Sequence, residues 1–177
     1  MKSLKIISFL FVLLAFINCG DDNATPPFLL SKTNLEGSYN IGSLTGQEKE
    51  DAKSSSGAIV NLSTTNIVGD IFQLNLNLNS IGNYTATGSY SVVSTTTDAN
   101  GDSSEEKQIF NADASGNFQL NTTANTITFN QTSGDFIEGV YTITTFNETT
   151  VTLTQEDVEE DGSLIYTRNI TITFVRN

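Results

Sequence analysis

The chain has no histidine, no tryptophan and a single cysteine, Cys19, so the usual pairings of a nucleophile with an imidazole base cannot be assembled from it. A zinc site would have to use carboxylates alone, an atypical donor set, and a disulfide within the chain is impossible. What remains is the chemistry of 20 acidic residues, 5 tyrosines and 8 lysines and arginines. Two acidic runs stand out. Asp98-Ala99-Asn100-Gly101-Asp102, followed by Glu105 and Glu106, has the beginnings of an oxygen-rich calcium loop but lacks the full EF-hand spacing. Because Asn-Gly also makes a good β-turn, an exposed connection between strands is expected there. Glu156 to Gly162 reads the same way, as a solvated hairpin loop. Neither a metal nor a cofactor is expected. Hydrolysis by paired carboxylates would need two acids on one inward strand face, and the pattern places no two acidic residues on the same one, so the chain reads as a non-enzyme.

Arg168 is the cation with a positional argument. It shares parity with Leu164, Tyr166, Ile170, Ile172 and Phe174 and so points toward the interior of any sheet that buries those residues. A lone buried cation is costly. It therefore requires a carboxylate partner, water at an open mouth, or an anionic ligand head group. With Tyr84, Tyr90 and Tyr166, Arg168 forms the candidate ligand-binding set, suited to a small, partly apolar molecule.

The elements that must position these residues are strands. From Leu35 onward the pattern is period two. In Phe72-Gln73-Leu74-Asn75-Leu76-Asn77-Leu78 apolar and polar residues alternate without error. Ser80-Ile81-Gly82-Asn83 supplies a turn, and Tyr84, Ala86, Gly88, Tyr90 and Val92 share one side of the return strand. Further strands are predicted near Tyr39–Leu44, Ile59–Leu62, Gln108–Ala112, Phe118–Leu120, Thr126–Phe129, Val140–Phe146, Thr150–Gln155 and Leu164–Val175, with Ala114-Ser115-Gly116-Asn117 among the turns. The segment Gly46 to Gly57 is polar, Ser-rich and expected to be mobile. Nine or ten strands with short links form a meander, and closing it into an up-and-down β-barrel removes its edges. A β-sandwich is the alternative. An even strand number would pair the first strand antiparallel with the last and bring Tyr39 beside Arg176.

Upstream, Lys2 and Lys5 precede an apolar stretch, Ile6 to Ile17, that is too short to span a bilayer and reads as a secretory leader. The cysteine at its end resembles the lipobox of bacterial lipoproteins, in which the thiol receives a diacylglyceryl group and the leader is cut just before it. Phe16, Ile17 and Asn18 stand where that family has Leu and small residues, while Cys19 and Gly20 fit. Asp21-Asp22 is similar to the short acidic signals that some Gram-negative groups use to send lipoproteins to the outer face of the outer membrane. The resemblance implies lipidation at Cys19, a bacterial outer-membrane location and attachment to the membrane through that lipid. Three parts follow: a signal peptide over 1–18, a lipid-anchored flexible stalk over 19–34, and a β domain over 35–177.

Leu35-Glu36-Gly37-Ser38-Tyr39-Asn40-Ile41 resembles the opening strand of bacterial lipocalin-like lipoproteins, which begin with a Leu-x-Gly-x-aromatic strand after a lipidated stalk. The Gly82-Asn83-Tyr84 turn, the Tyr141-Thr142-Ile143 strand and the terminal Phe174-Val175-Arg176 extend the likeness over residues 35–177. It implies structural roles for Gly37, Tyr39 and Arg176. In lipocalins a Gly-x-Trp aromatic packs under the barrel and an arginine near the end of the last strand caps it; Tyr39 stands in the place of the tryptophan and Arg176 in that of the cap.

Charge narrows the partners. The formal net charge is -12, and loss of Lys2 and Lys5 with the leader leaves 6 basic against 20 acidic residues, or -14. Such a surface repels phosphate backbones, so nucleic acid is excluded as a partner. Two functions are expected from the sequence: a lipocalin-like envelope barrel that binds a small apolar ligand, or a structural or interaction module with a filled core that meets an envelope protein or glycan.

Overall fold

The computed structural model describes residues 28–177. One helical turn, α1 (Lys32–Leu35), precedes eight strands: β1 (Gly37–Lys53), β2 (Ile59–Leu78), β3 (Asn83–Asp98), β4 (Ser103–Asn121), β5 (Thr126–Ser133), β6 (Gly139–Phe146), β7 (Thr150–Asp161) and β8 (Leu164–Arg176). Each strand pairs antiparallel with its successor, and β8 returns to β1, so the sheet closes as an up-and-down barrel rather than a sandwich. The even count is what lets first and last strands run antiparallel.

Eight strands replace nine or ten because two pairs of short segments are each one long strand. Ile59–Leu62 and Phe72–Leu78 both lie on β2, and Gln108–Ala112 and Phe118–Leu120 both lie on β4. Ala114-Ser115-Gly116-Asn117, turn-like in composition, is strand interior, where the register against β5 shifts between Ser115 and Gly116. A bulge needs the same small residues as a turn, so composition alone does not separate the two. The polar Gly46–Gly57 segment is corrected in the same way: β1 runs on to Lys53, and only residues 54–58 turn. Glu156 to Asp161 belong to β7, leaving Gly162-Ser163 as the turn, and Glu105 and Glu106 lie on β4. Strand pairs that rise above the core face water on both sides, so their side chains need no alternation.

The core fills the end of the barrel where β1 begins. Leu74, Leu76 and Leu78 of β2 are buried while Asn77 between them is exposed. Phe118, Phe129, Tyr141, Leu153 and Phe174 close the same interior. Burying each such side chain contributes about 2 kcal/mol relative to exposure. Beneath them, the Ser31 side chain accepts a hydrogen bond from Asn34 N (3.1 Å) and caps α1. Leu35 is fully buried against the barrel. Phe28 stacks on Phe146 with ring centroids 5.0 Å apart, and Leu30 packs on the core. Residues 28–34 are therefore docked, in place of the flexible stalk expected there; Phe28 and Leu30 find a surface that the barrel alone provides, while Leu29 stays exposed. The signal peptide, Cys19 and the rest of the stalk lie outside the described residues.

Tyr39 and Arg176 face each other across β1 and β8. The guanidinium carbon sits 5.0 Å from the ring centroid. Its Nη2 donates to the Tyr39 hydroxyl (2.7 Å) and to Asn34 O, and its Nη1 donates to Glu36 O (2.6 Å). The hydroxyl in turn donates to Leu35 O (2.7 Å). Gly37 leaves room for this fork: a Cβ there would meet Nη1 at 3.0 Å. Only the buried Nε lacks a partner. Arg176→Ala strands two main-chain carbonyls and removes the contact with the ring, and is expected to cost about 2–3 kcal/mol. Arg176→Lys should restore less than half of that, since an ammonium cannot serve three acceptors in a fork. Urea denaturation of the two variants checks both values.

Candidate functional site

The barrel wall has two heights. β5 and β6 are 8 residues each, whereas the flanking β4 and β7 have 19 and 12. The turn signals Ser133-Gly134-Asp135 and Gly139 stop the short pair early. The loop between them folds inward, so that Ile137 is buried and its carbonyl accepts a hydrogen bond from the Tyr84 hydroxyl (3.1 Å). Below this level the interior is full. The space enclosed by Leu35, Tyr39, Leu76, Phe129, Leu153 and Phe174 holds about 10 Å³, no more than a single water needs.

Above it, the inner face of β7, β8, β1 and β2 forms a half-open hollow of about 380 Å³, lined by Glu48, Glu50, Ser63, Thr65, Glu159, Tyr166 and Arg168 among others. Arg168 does face inward, and its Nε donates to Glu48 Oε1 at 2.6 Å. It stands opposite Glu48 on one neighbouring strand and Asp157 on the other. Of its three alternatives, then, the cation takes a carboxylate. With side chains 55% and 43% exposed, the pair contributes no more than about 1 kcal/mol.

Arg168 and Tyr166 come together; Tyr84 and Tyr90 do not join them. Tyr84 is in the packed floor, edge-on to Phe129 at 5.2 Å. Tyr90 is half-buried at the top of the core, stacked on Phe110 at 5.2 Å and edge-on to Phe136 at 6.0 Å. Parity puts all of them on the inner side, but height along the barrel separates them. The expected four-residue set is thus reduced to two.

The structure adds acids that sequence reasoning missed and overturns the reading that no two share an inward face. Tyr39 and Ile41 point inward at odd positions; a register shift after Ile41 moves the inward set to Leu44, Glu48 and Glu50. Gly42 is the residue left over in that shift, and an isolated glycine inside a strand is the one local signal that could have marked the bulge. Asp157 and Glu159 continue the inward parity of Val151 and Leu153 on β7, but the loop-like composition of Glu156 to Asp161 conceals it.

Asp98 serves its turn instead. Its Oδ1 accepts from Asn100 N (2.8 Å) and Asp102 N (2.9 Å), and the bond from the Asp102 main chain leads the causes that lower its pKa. Among the described residues no three or more acidic side chains are grouped so as to hold a metal ion.

Burial dominates the tyrosines. Desolvation, reinforced by the neighbouring Tyr90 and Tyr84 and opposed by Arg168, pushes Tyr141 up to about 12 from 10.0. The raised value means that its contribution is fully present below pH 10 and is lost as the pH climbs through 12, a change of about 3 kcal/mol. Alkaline denaturation is expected to steepen across that window, and Tyr141→Phe should flatten the dependence of unfolding free energy on pH between 10 and 12.

No family model matches the chain, and no curated protein does. Among solved structures it is similar to Ail, the attachment invasion locus protein of Yersinia pestis, crystallised with the heparin analogue sucrose octasulfate. The identity is 10%, the alignment covers 80% of this chain and 99% of that one, and the TM-score is 0.25. A score of that size does not establish a common fold.

Proposed function

We propose that this protein is a lipid-anchored component of the bacterial outer membrane, held through Cys19, whose barrel is a non-enzymatic interaction module of the cell envelope. The observation that carries this reading is the filled interior. An apolar ligand needs a calyx of several hundred Å³, and the barrel floor holds about 10 Å³. The outer wall supports the same view. Around the core it carries Asn40, Asn77, Thr85, Thr87 and Thr142, all exposed, whereas a membrane-spanning barrel needs an apolar outer band about 25 Å tall. The domain therefore sits in water, and the acyl chains at Cys19, at about 0.8 kcal/mol per buried CH₂, do the anchoring.

Photocrosslinkers placed at Tyr166 and Glu106 of the full chain in intact cells should yield discrete adducts with envelope proteins or glycans, and Cys19→Ser should release the protein from the membrane fraction. A stoichiometric apolar compound retained through purification and identified by mass spectrometry would overturn the filled-core reading. The hollow itself favours a second reading, a small ligand oriented by Arg168 and Tyr166, since its volume falls in the usual range for binding sites. Saturable binding abolished by Arg168→Gln, with stability unchanged to within about 1 kcal/mol, would select that one.

A further inference from the structure

The two short strands leave two long ones unpaired. β4 pairs with β3 from Ser103 to Asn117, but with β5 only from Ser115 to Asn121. The inward loop guards the lower part of the exposed edge: Thr132 Oγ1 donates to Ser115 O (3.1 Å), and a Cβ on Gly134 would come within 2.1 Å of Asp113 O. Above that point, among the described residues, nothing pairs with the outer edge of Ser103–Ala112, and every residue from Ser103 to Asn111 is exposed. β7 mirrors this arrangement. It pairs with β8 up to Asp161, but with β6 only up to Thr154. The two free edges flank the place that β5 and β6 would fill if they continued, a gap of three strand spacings or about 14 Å.

We propose that the free edge of β4, Ser103–Ala112, receives an added strand from a partner protein, a segment that is basic where it passes Glu105 and Glu106 and apolar where it passes Ile109 and Phe110. This rests on the reading of the domain as an interaction module and names its partner class. An unpaired edge offers a row of main-chain donors and acceptors, and a strand added to it gains affinity from that row and specificity from alternate side chains. The side chains here are distinctive. Along β4, Glu105-Glu106 lead into Ile109 (68% exposed) and Phe110 (37%). Across the gap β7 presents Glu156, Asp157, Glu159, Glu160 and Asp161, with Val158 among them. A strand entering the gap has acids on both flanks, and charge complementarity selects cations. It also disfavours a second copy of this chain, whose own edges carry the same acids.

The test uses the full-length chain in detergent and the nine-residue peptide Thr-Val-Val-Thr-Thr-Lys-Lys-Thr-Thr, whose adjacent lysines fall opposite Glu106 and Glu105, one on each face, and whose valines fall opposite Phe110 and Ile109 in an antiparallel addition. Hydrogen exchange within Ser103–Ala112 is expected to slow at least fivefold. Affinity should fall at least tenfold when the lysines become glutamates, or when alternate peptide nitrogens are methylated and the ladder cannot form. Glu105→Lys combined with Glu106→Lys changes two exposed side chains and should reverse the preference between basic and acidic peptides. No slowing in β4 at millimolar peptide, equal binding of the methylated peptide, or slowing confined to the hollow of Glu48 and Arg168 would overturn the assignment. If the peptide leaves β4 unprotected while crosslinks to envelope proteins persist, the edge assignment fails and the module reading stands; if the crosslinks are missing as well, both fail.

Discussion

Gly88→Ala is expected to cost more than about 3 kcal/mol, or to abolish folding, whereas Gly101→Ala should cost about 1–2 kcal/mol. Both glycines have left-handed backbones, with φ of +125° and +89°. They differ in what surrounds them. Gly101 sits in the turn between β3 and β4 with open space where a Cβ would go. Gly88 is in the middle of β3, paired to Leu74 on one side and Ala112 on the other. A Cβ there would lie 2.0 Å from Gln73 O and 2.9 Å from the Leu74 Cα, both main-chain atoms that no rotamer change can move. Relief would need β2 and β3 to separate where Leu74 and Leu76 enter the core. Circular dichroism in urea compares the pair directly, and equal effects would show that the close approach of the two strands is not what the glycine permits.

Phe129→Ala is expected to cost about 3–5 kcal/mol. The ring is buried and meets Tyr84, Tyr141 and Phe118 at centroid distances of 5.2, 6.0 and 6.3 Å, the first two edge-on. Truncation leaves a void in a closed barrel, whose hydrogen-bonded wall collapses less readily than a pair of helices. Phe110→Ala is the control: Phe110 also meets a tyrosine, stacked rather than edge-on, but is 37% exposed, so it should cost under about 1.5 kcal/mol. The comparison bears on function as well as stability. If Phe129→Ala cost no more than Phe110→Ala, the floor would be loosely occupied space able to admit a ligand, and the filled-core argument for an interaction module would fail.

Much of the fold was legible because strand alternation is local. Phe72 to Leu78 and Tyr84 to Val92 needed only their own sequence to be read as paired strands with one buried face, and Gly82 marked the turn between them. Arg168 was also legible, since no bulge intervenes between it and Phe174. The boundaries of the polar strands were not. Gly46 to Lys53 and Glu156 to Asp161 have the composition of loops, and they are strands because long neighbours pair with them above the core.

The site was less readable than the fold. Tyr84, Tyr90 and Tyr166 share a parity with nothing to distinguish their heights, and only the closed barrel sends the first into the floor, the second to the top of the core and the third into the hollow. Glu48 was hidden twice: it lies in the polar Gly46–Gly57 segment, whose composition is that of a loop, and the bulge at Gly42 exchanges the two faces of β1 before it.

Alternation and composition establish an all-β chain with one face of each core strand buried, an excess of acidic residues, a single thiol at the end of an apolar stretch, and an inward cation in need of a partner. Only closure of the barrel decides that Glu48 is that partner, that the lower interior is filled beneath an open hollow, and that two strands stop short to leave the edges of β4 and β7 open. The physical reason is one of range. Alternation and turn chemistry act over a few residues, while strand height, register and cavity volume depend on how eight strands close on one another.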